Sequence, residues 1–355
     1  MKGEFPQIQF MKGVKSMKKV LKWSAAAVCL AMMLTIVTGC GKTATESKAK
    51  VKIKVCEVTH SVFYAPQYAA INLGFFADEG IDLELTTAEG TDKVMSTVLS
   101  NNADIGLAGP EASIYVYNEG KADSAQIFAL VTQRDGSFLV GRQKDPNFTW
   151  DKIRNKVVLP GRKGGVPYMT LQYVIRKNGL DPFKDTKLDD SIQYALMGPA
   201  FTNGTGDYVT MFEPAASQIE AKGKGYIVAS IGKESGEIPY TAYCAKKSYL
   251  EKNSDLIARF TRAVYKGQKW VYSHTPEEIA KAMAPSFPDS DVKLLTTVAQ
   301  RYKDIEAWSP NPVLKPEEFS LLQEVMTQAG ELKQKVPYDK LINTSFAEQA
   351  IKDVK

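Results

Sequence analysis

From residue 51 onward, hydrophobic and polar positions follow two alternating periods. Apolar residues recur at every second position over residues 51–58 and 81–85, which predicts half-buried strands. They recur at helical spacing over residues 64–73 and 92–99, which predicts helices. The same block contains a predicted helix at 112–119 between predicted strands at 104–108 and 125–131. Strands that alternate with helices of about ten residues predict βαβ units and a parallel sheet.

The alternation begins again after residue 156. Predicted strands lie at 157–159, 191–196, 208–212 and 226–229, and predicted helices lie at 167–177 and 215–221. Beyond residue 248 the pattern is mostly helical, with predicted helices at 255–272, 275–283, 289–302, 316–330 and 338–342. The sequence therefore predicts two α/β blocks and a helical C-terminal region. Because this length exceeds the usual size of a single core, two lobes are expected.

The first 40 residues have a different pattern. A segment with repeated lysines up to Lys22 is followed by an apolar stretch over residues 23–37, which is the arrangement of an export signal. The apolar stretch falls short of the roughly 20 residues that span a bilayer, although a retained membrane helix remains the alternative. We expect a signal peptide over residues 1–39, followed by a flexible polar tether over residues 40–50.

The segment Val37-Thr38-Gly39-Cys40 resembles the lipobox of bacterial lipoproteins. The resemblance implies that Cys40 carries lipid and becomes the first residue of the mature chain. The remainder would then work on the extracytoplasmic face of the bacterial cell membrane, held by acyl chains. Two or more chains give stable anchoring, whereas one chain gives reversible binding.

Charge and composition exclude several partners. The net charge is +5, but six lysines and one glutamate lie within residues 1–39, so the rest of the chain carries 39 basic and 39 acidic side chains. A neutral mature chain gives no electrostatic argument for nucleic acid or for an anionic membrane surface. The chain has only two histidines, His60 and His274, and no Cys/His spacing typical of a metal site, so no metal is expected.

Two cysteines remain after the signal and the lipobox. Cys56 lies in a predicted strand and Cys244 lies in the mixed apolar segment 240–245. Two buried free thiols are the preferred interpretation, and a disulfide stays open because the protein is exported.

Candidate site residues come from the segments that follow predicted strands. In open parallel sheets, ligands bind beyond the carboxyl ends of the strands. The segments are 59–64, 88–92 and 109–113 in the first block, and 161–165, 197–200 and 212–214 in the second. We expect a ligand to contact His60, Phe63, Tyr64, Glu89, Thr91, Gly109, Pro110, Glu111, Arg162, Gly164, Gly165, Pro199, Phe212, Glu213 and Tyr240.

The loop at 161–165 is the strongest of these segments. Arg162 and Lys163 lie among glycines directly before a predicted helix, so two cations and free amides could hold a carboxylate, sulfonate or phosphate. The loop is not a P-loop, because no Gly-Lys-Ser/Thr ends it. The acids Glu89, Asp92, Glu111 and Glu213 could instead orient an amine or amide of a ligand. The aromatic candidates could wall a pocket, and core packing is an equal alternative for each.

Residues 65–85 resemble the opening of ABC-importer substrate-binding proteins of the nitrate/sulfonate/thiamine-precursor type. The shared features are Gly74-Phe75-Phe76 after a helix and Glu79-Gly80-Ile81-Asp82 before a strand. The segments Ala103-Asp104-Ile105-Gly106 and Phe212-Glu213-Pro214 fit the same family. The resemblance covers roughly residues 51–345.

This resemblance implies a two-lobed type-II periplasmic-binding-protein fold, an α/β fold with a helical C-terminal region. Its crossovers are expected near residues 138–142 and 240–246, with one lobe at 51–140 plus 245–355 and the other at 141–244. The family captures a small organic ligand between its lobes and delivers it to an ABC permease with its ATPase. It implies a monomer with no cofactor, no catalytic residue and no enzymatic activity.

Two departures bear on the ligand. Members that bind thiamine pyrimidine precursors have Trp and His at positions where this chain has Val58 and Tyr64. A pyrimidine precursor is therefore one candidate beside a sulfonate or a similar ligand. A pyrimidine-synthase-like or other enzyme on the same fold is the alternative function, although the cysteine-rich motif of that synthase is absent. A sensory ectodomain is a third alternative.

Overall fold

A computed structural model describes residues 50–355, which form two lobes around two five-stranded sheets. The predicted signal peptide, the predicted lipid site Cys40 and nearly all of the tether lie outside the described residues. The first sheet has the order β2-β1-β3-β10-β4. Its strands are β1 (Val51–Glu57), β2 (Ile81–Thr87), β3 (Ile105–Ala108), β4 (Ala125–Thr132) and β10 (Thr241–Lys246).

The second sheet has the order β7-β6-β8-β5-β9. Its strands are β5 (Ser137–Gly141), β6 (Val157–Leu159), β7 (Lys187–Leu188), β8 (Tyr208–Phe212) and β9 (Tyr226–Ser230). Four helices accompany this sheet, and they are α5 (Val166–Lys177), α6 (Tyr194–Thr202), α7 (Ala215–Ala221) and α8 (Ile231–Ser235). Leu139 and Val140 of β5 point to opposite faces, so each face of the sheet supports its own small core.

The helices of the first lobe come from both ends of the chain. Those before the first crossover are α1 (Ala65–Asn72), α2 (Phe75–Asp78), α3 (Thr91–Leu99) and α4 (Pro110–Asn118). Those after β10 are α9 (Lys247–Lys252), α10 (Ser254–Ser273), α11 (Pro276–Met283), α12 (Val292–Asp304), α13 (Pro316–Gln328), α14 (Tyr338–Leu341) and α15 (Ser345–Asp353). Together they bury one large core that includes Tyr68, Phe128, Tyr243 and Phe260.

Each sheet contains one antiparallel strand, and these two strands mark where the chain crosses between the lobes. Strand β10 runs antiparallel between β3 and β4, while β5 runs antiparallel between β8 and β9. The chain therefore crosses between the lobes at residues 133–136 and 236–240. The sequence placed these crossovers later, near 138–142 and 240–246, because the pairing of β5 and β10 leaves no local signal.

One predicted strand is wrong. Residues 191–196 were expected to be extended, but Tyr194 begins α6, and the short strand β7 lies earlier in the chain. Met197 and Phe201 are four positions apart and both are buried against the second sheet, so the helix satisfies the same apolar run. As a consequence Pro199 lies inside α6 rather than in a loop after a strand.

The first sheet places two cysteines on either side of one glycine. Cys56 of β1 and Cys244 of β10 are both register partners of Gly106 in β3. Both thiols are buried and free. Within residues 50–355, no helix combines the length and apolar character that crossing a membrane requires.

Candidate functional site

A cavity of about 280 Å³ lies between the lobes, where helices begin after the strands of both sheets. It brings together four residues that the sequence proposed, Thr91, Glu111, Arg162 and Gly164. The remaining lining residues are Asp92, Ala112, Tyr115, Lys163 and Glu331. The cavity joins a wider groove of about 1040 Å³ that shares Asp92, Ala112, Tyr115 and Glu331 with it.

Direct contacts connect the two lobes at the edge of this cavity. The Tyr115 hydroxyl on α4 donates a hydrogen bond to the Gly164 carbonyl at 3.0 Å. Arg162 of the second lobe lies 3.6 Å from the Asp92 carboxylate of the first lobe. Because both side chains of this ion pair are more than half exposed, it contributes little to stability. Arg162 and Lys163 therefore lie at the rim of the cavity.

Glu111 is the buried ionisable group of the cavity. It follows Pro110 in the first turn of α4 and is 2% exposed, and its Oε2 has no hydrogen-bond partner among the described residues. Burial raises the pKa of Glu111 to about 7, against the opposing effects of Arg162 and of nearby backbone amides such as that of Val166. Gly109 makes room for the carboxyl group, since a Cβ there would lie 2.0 Å from Oε2.

The predicted aromatic residues form a cluster that spans both lobes. Phe63 after β1 lies 5.7 Å from Phe212 at the end of β8 and 5.6 Å from Tyr240 in the second crossover, measured between ring centroids. Tyr64 and Tyr302 lie beside the same Phe63 ring, at 5.7 and 5.2 Å. The structure places these residues in the core between the lobes, while their role as walls of a ligand pocket stays a prediction.

The two crossovers add polar groups to this cluster. Asp135 is fully buried, and its Oδ1 accepts hydrogen bonds from the Ser137 amide at 2.7 Å and the Ser137 hydroxyl at 2.6 Å. Asp135 Oδ2 and the Tyr240 hydroxyl have no partner of good hydrogen-bond geometry among the described residues, but the two side chains face each other, and the Tyr240 hydroxyl lowers the pKa of Asp135 against the effect of burial. Burial raises the pKa of Asp135 to about 7. Burial also raises the pKa of Tyr240, and the carboxylates of Asp135 and Glu111 raise it further, so Tyr240 lies within electrostatic reach of both.

Glu213 holds the lobes together and does not line the cavity. Its carboxylate accepts hydrogen bonds from the Ser217 amide at 2.9 Å, the Ser217 hydroxyl at 2.8 Å and Arg301 at 2.7 Å. Arg301 on α12 belongs to the first lobe and also donates to Glu220 at 2.6 Å. The Glu213 amide donates to the Tyr302 hydroxyl at 3.1 Å. We call this set, Glu213, Ser217, Glu220, Arg301 and Tyr302, the interlobe bridge.

His60 belongs to a polar network inside the first lobe. Its Nδ1 lies 3.0 Å from Glu57 Oε1, and its Nε2 lies 2.7 Å from the Ser286 carbonyl. Glu57 also accepts hydrogen bonds from Gln67, Tyr68 and Thr87. The hydrogen bond to Glu57 raises the pKa of His60. These contacts hold His60 at the end of β1, outside the lining of the cavity, and its contact with a ligand stays a prediction.

The other residues that the sequence predicted to contact a ligand lie outside the lining of the cavity. Glu89 is exposed and adopts a left-handed backbone with φ of 56°. Pro110 is buried at the start of α4, Gly165 is the residue before α5, and Pro199 is exposed on α6. The sequence missed Asp135 and Arg301, which become neighbours of the site only through folding. Within residues 50–355, no group of three or more His, Cys, Asp or Glu side chains is placed to hold a metal ion.

Comparisons with known proteins agree with the fold. The profile of the NMT1-like family matches residues 44–285. A Bacillus subtilis (strain 168) protein named "Putative binding protein YtlA" is 48% identical over 298 residues, which are 84% of this chain and 89% of that protein.

Two solved structures are similar over most of their length. The periplasmic nitrate-binding protein NrtA from Synechocystis PCC 6803 is 17% identical, with a TM-score of 0.69 over 86% of this chain and 89% of NrtA. The ligand-binding component of an ABC-type import system from Staphylococcus aureus, solved with zinc bound, is 15% identical, with a TM-score of 0.67 over 85% of this chain and 99% of that one. The expected two-lobed type-II periplasmic-binding-protein fold is thereby confirmed.

Proposed function

The chain belongs to the NMT1-like family, and we propose that it is an extracytoplasmic solute-binding protein of an ABC importer. It captures a small organic ligand between its lobes and delivers it to the permease. The observation that carries this proposal is the cavity between the lobes, which is lined from both sides and contains a buried carboxyl oxygen without a partner. Clefts with a few convergent polar groups are the usual form of small-molecule sites.

The relatives support the class of function. The Bacillus subtilis relative is named as a binding protein, and the solved structures are named for nitrate binding and for ligand binding in ABC-type import. We extend this to a monomer that a lipid on Cys40 holds at the outer face of the cell membrane. In this arrangement the partner ATPase hydrolyses ATP, so this chain needs no nucleotide site of its own.

Closure of the two lobes is the proposed mechanism. The interlobe bridge and the hydrogen bond from Tyr115 to Gly164 favour the closed arrangement, and a ligand in the cavity adds contacts to both lobes at once. A ligand shifts the equilibrium only by its greater affinity for the closed form over the open form. Hinge closure around a ligand is the standard movement of such proteins, and the permease would recognise the closed shape.

Thermal unfolding against a panel of small molecules tests the proposal. The protein is purified without its lipid, starting at Ala49, because residues 49–355 form one compact unit. The panel contains pyrimidines and thiamine precursors, flavins, alkanesulfonates, nitrate, bicarbonate, aromatic acids, amines and amino acids. A ligand at 100 times its dissociation constant adds about 2.7 kcal/mol to the free energy of unfolding, which raises the midpoint by several degrees.

The ligand is then recovered after denaturation, and its mass is determined by mass spectrometry. Return of an unchanged ligand supports solute binding. Return of a chemically altered ligand would contradict it and favour an enzyme on the same fold. Absence of any shift with the panel and with cell extract would contradict a small-molecule site in the cavity.

A further inference from the structure

A buried carboxyl oxygen of a cavity residue lacks a hydrogen-bond partner among the described residues. It is Oε2 of Glu111, a residue that is 2% exposed. A buried polar atom without a partner costs about 1–3 kcal/mol, and native structures contain few of them. Glu111 lines the cavity, so a ligand that donates hydrogen bonds is the natural partner of its carboxyl group.

The charges around the cavity favour the same class of ligand. Of its two cations, Lys163 is exposed, and the Arg162 side chain is 56% exposed and lies 3.6 Å from Asp92. The deeply buried charged group is the acid Glu111, and Asp92 and Glu331 add two further acids to the lining. An anion placed beside the ionised form of Glu111 would face a buried carboxylate with no cation at its depth, which is strongly unfavourable.

The start of α5, which the sequence favoured as an anion site, already lies near the carboxyl group of Glu111. The amide of Val166, in the first turn of α5, lowers the pKa of Glu111, which places this carboxyl close to the amides that an anionic ligand would need. The first lobe therefore supplies the negative charge that this helix terminus favours. An anionic ligand would have to displace the Glu111 carboxyl from its buried position over Gly109.

We propose that the ligand presents a positively charged, hydrogen-bond-donating nitrogen group to Glu111, such as an amidine, a guanidine or a protonated amine. This rests on the proposed solute-binding function and names its ligand class. A planar amidinium can donate two parallel hydrogen bonds to one carboxylate. Tyr115 lines the same cavity and offers an aromatic surface for a flat apolar portion of the ligand.

Benzamidinium and benzoate test the proposal, because they have the same shape and opposite charge. Their affinities are measured by isothermal titration calorimetry with the wild-type protein and with Glu111→Gln. Wild-type protein should bind benzamidinium in preference to benzoate, and Glu111→Gln should weaken benzamidinium binding by about tenfold to a hundredfold, the effect of losing one hydrogen bond to a charged group. Glu84→Gln is the matched control, since Glu84 on β2 forms an exposed ion pair with Lys52 on β1, and its loss should leave the affinity unchanged.

Three results would overturn the ligand class. They are benzoate binding as tightly as benzamidinium, no binding of either probe, and equal benzamidinium affinity in wild-type and Glu111→Gln protein. Circular dichroism confirms that each variant folds, and Gly109→Ala, which displaces the Glu111 carboxyl group, provides a second variant with the same expected direction. If an anion from the panel binds and returns unchanged, the ligand class fails while solute binding stands, so the two failures can be distinguished.

Discussion

Glu111 and Glu213 are two buried carboxylates between the same lobes, and their surroundings differ. Each is 2% exposed, and each stands next to a proline after a strand. Glu213 accepts hydrogen bonds from Ser217 and forms an ion pair with Arg301. Glu111 has no buried cation beside it and retains an oxygen without a partner among the described residues.

The difference in their hydrogen bonds indicates that these two equally buried acids have different roles. A buried acid whose hydrogen bonds are complete stabilises the protein that contains it. A buried acid with an unfilled position costs free energy until a partner arrives. We therefore assign Glu213 to the joining of the lobes and Glu111 to the ligand, although the sequence pattern predicts the same role for both.

The largest expected effect comes from breaking the bridge. Arg301→Met leaves Glu213 buried without its cation and removes the partner of Glu220, so the free energy of unfolding should fall by about 3–5 kcal/mol. Urea denaturation measures the change.

Two further variants test whether the buried ion pair causes the loss of stability in Arg301→Met. Arg154→Met removes exposed ion pairs with Asp151 and Asp185 and should change stability by less than about 1 kcal/mol. The double variant Arg301→Met/Glu213→Gln should recover part of the loss, since it no longer buries an unpaired charge. Equal losses for Arg301→Met and Arg154→Met would show that the bridge is no more important than a surface ion pair.

The next effect is a pH dependence at the acid without a partner. The pKa of Glu111 is about 7 in the folded protein and 4.5 in the unfolded chain, so the folded state holds the proton more tightly. Stability therefore falls as pH rises from about 4.5 to 7, at about 1.4 kcal/mol for each unit of pKa difference. Relative to wild type, Glu111→Gln should gain up to about 3 kcal/mol between pH 4.5 and 8.

Denaturation at several pH values measures this difference. Asp135 also has a pKa of about 7, so Asp135→Asn should show the same direction. Glu84→Gln again serves as the exposed control. A constant stability difference between Glu111→Gln and wild type across this range would contradict the assigned protonation of Glu111.

The smallest stability effect is expected from moving the Glu111 carboxyl itself. A Cβ at Gly109 would lie 2.0 Å from Glu111 Oε2, and a Cβ at Gly232 would lie 2.0 Å from the Asp135 backbone oxygen. The first obstacle is the end of a flexible side chain and the second is backbone. Gly109→Ala should therefore cost less than about 1 kcal/mol, whereas Gly232→Ala should cost at least the 1–3 kcal/mol of overpacking.

The order of Gly109→Ala and Gly232→Ala in ligand affinity should differ from their order in stability. Gly109→Ala displaces the carboxyl that we assign to the ligand, so it should weaken binding even though the protein remains stable. Unchanged affinity of Gly109→Ala for benzamidinium would mean that the buried position of Glu111 is not needed.

Much of the fold could be predicted because its signals are local. The strand at 208–212 and the helix at 215–221 have their predicted bounds. Strands β5 and β10 were missed because short buried runs have no alternation, and their pairing with distant strands decides their state. The helix α6 was mistaken for a strand because its apolar run is short enough to fit either element.

The candidate site could likewise be predicted only in part from the sequence. Rules about the ends of parallel strands found Thr91, Glu111, Arg162 and Gly164, which the fold brings to one cavity. No local rule could tell Glu111 from Glu213, because the distinguishing residue Arg301 lies 88 positions from Glu213 on a helix of the C-terminal region.

The place of Gly106 between two cysteines has a consequence for the environments that the protein tolerates. Cys56 and Cys244 lie on strands separated by β3, so their backbones are about 9–10 Å apart, and a disulfide needs less than about 7 Å. Residues 50–355 therefore fold without a cross-link between these thiols. The folded part should have the same unfolding midpoint in the presence and absence of a reductant, and it can be produced in a reducing cytoplasm as readily as in an oxidising exterior.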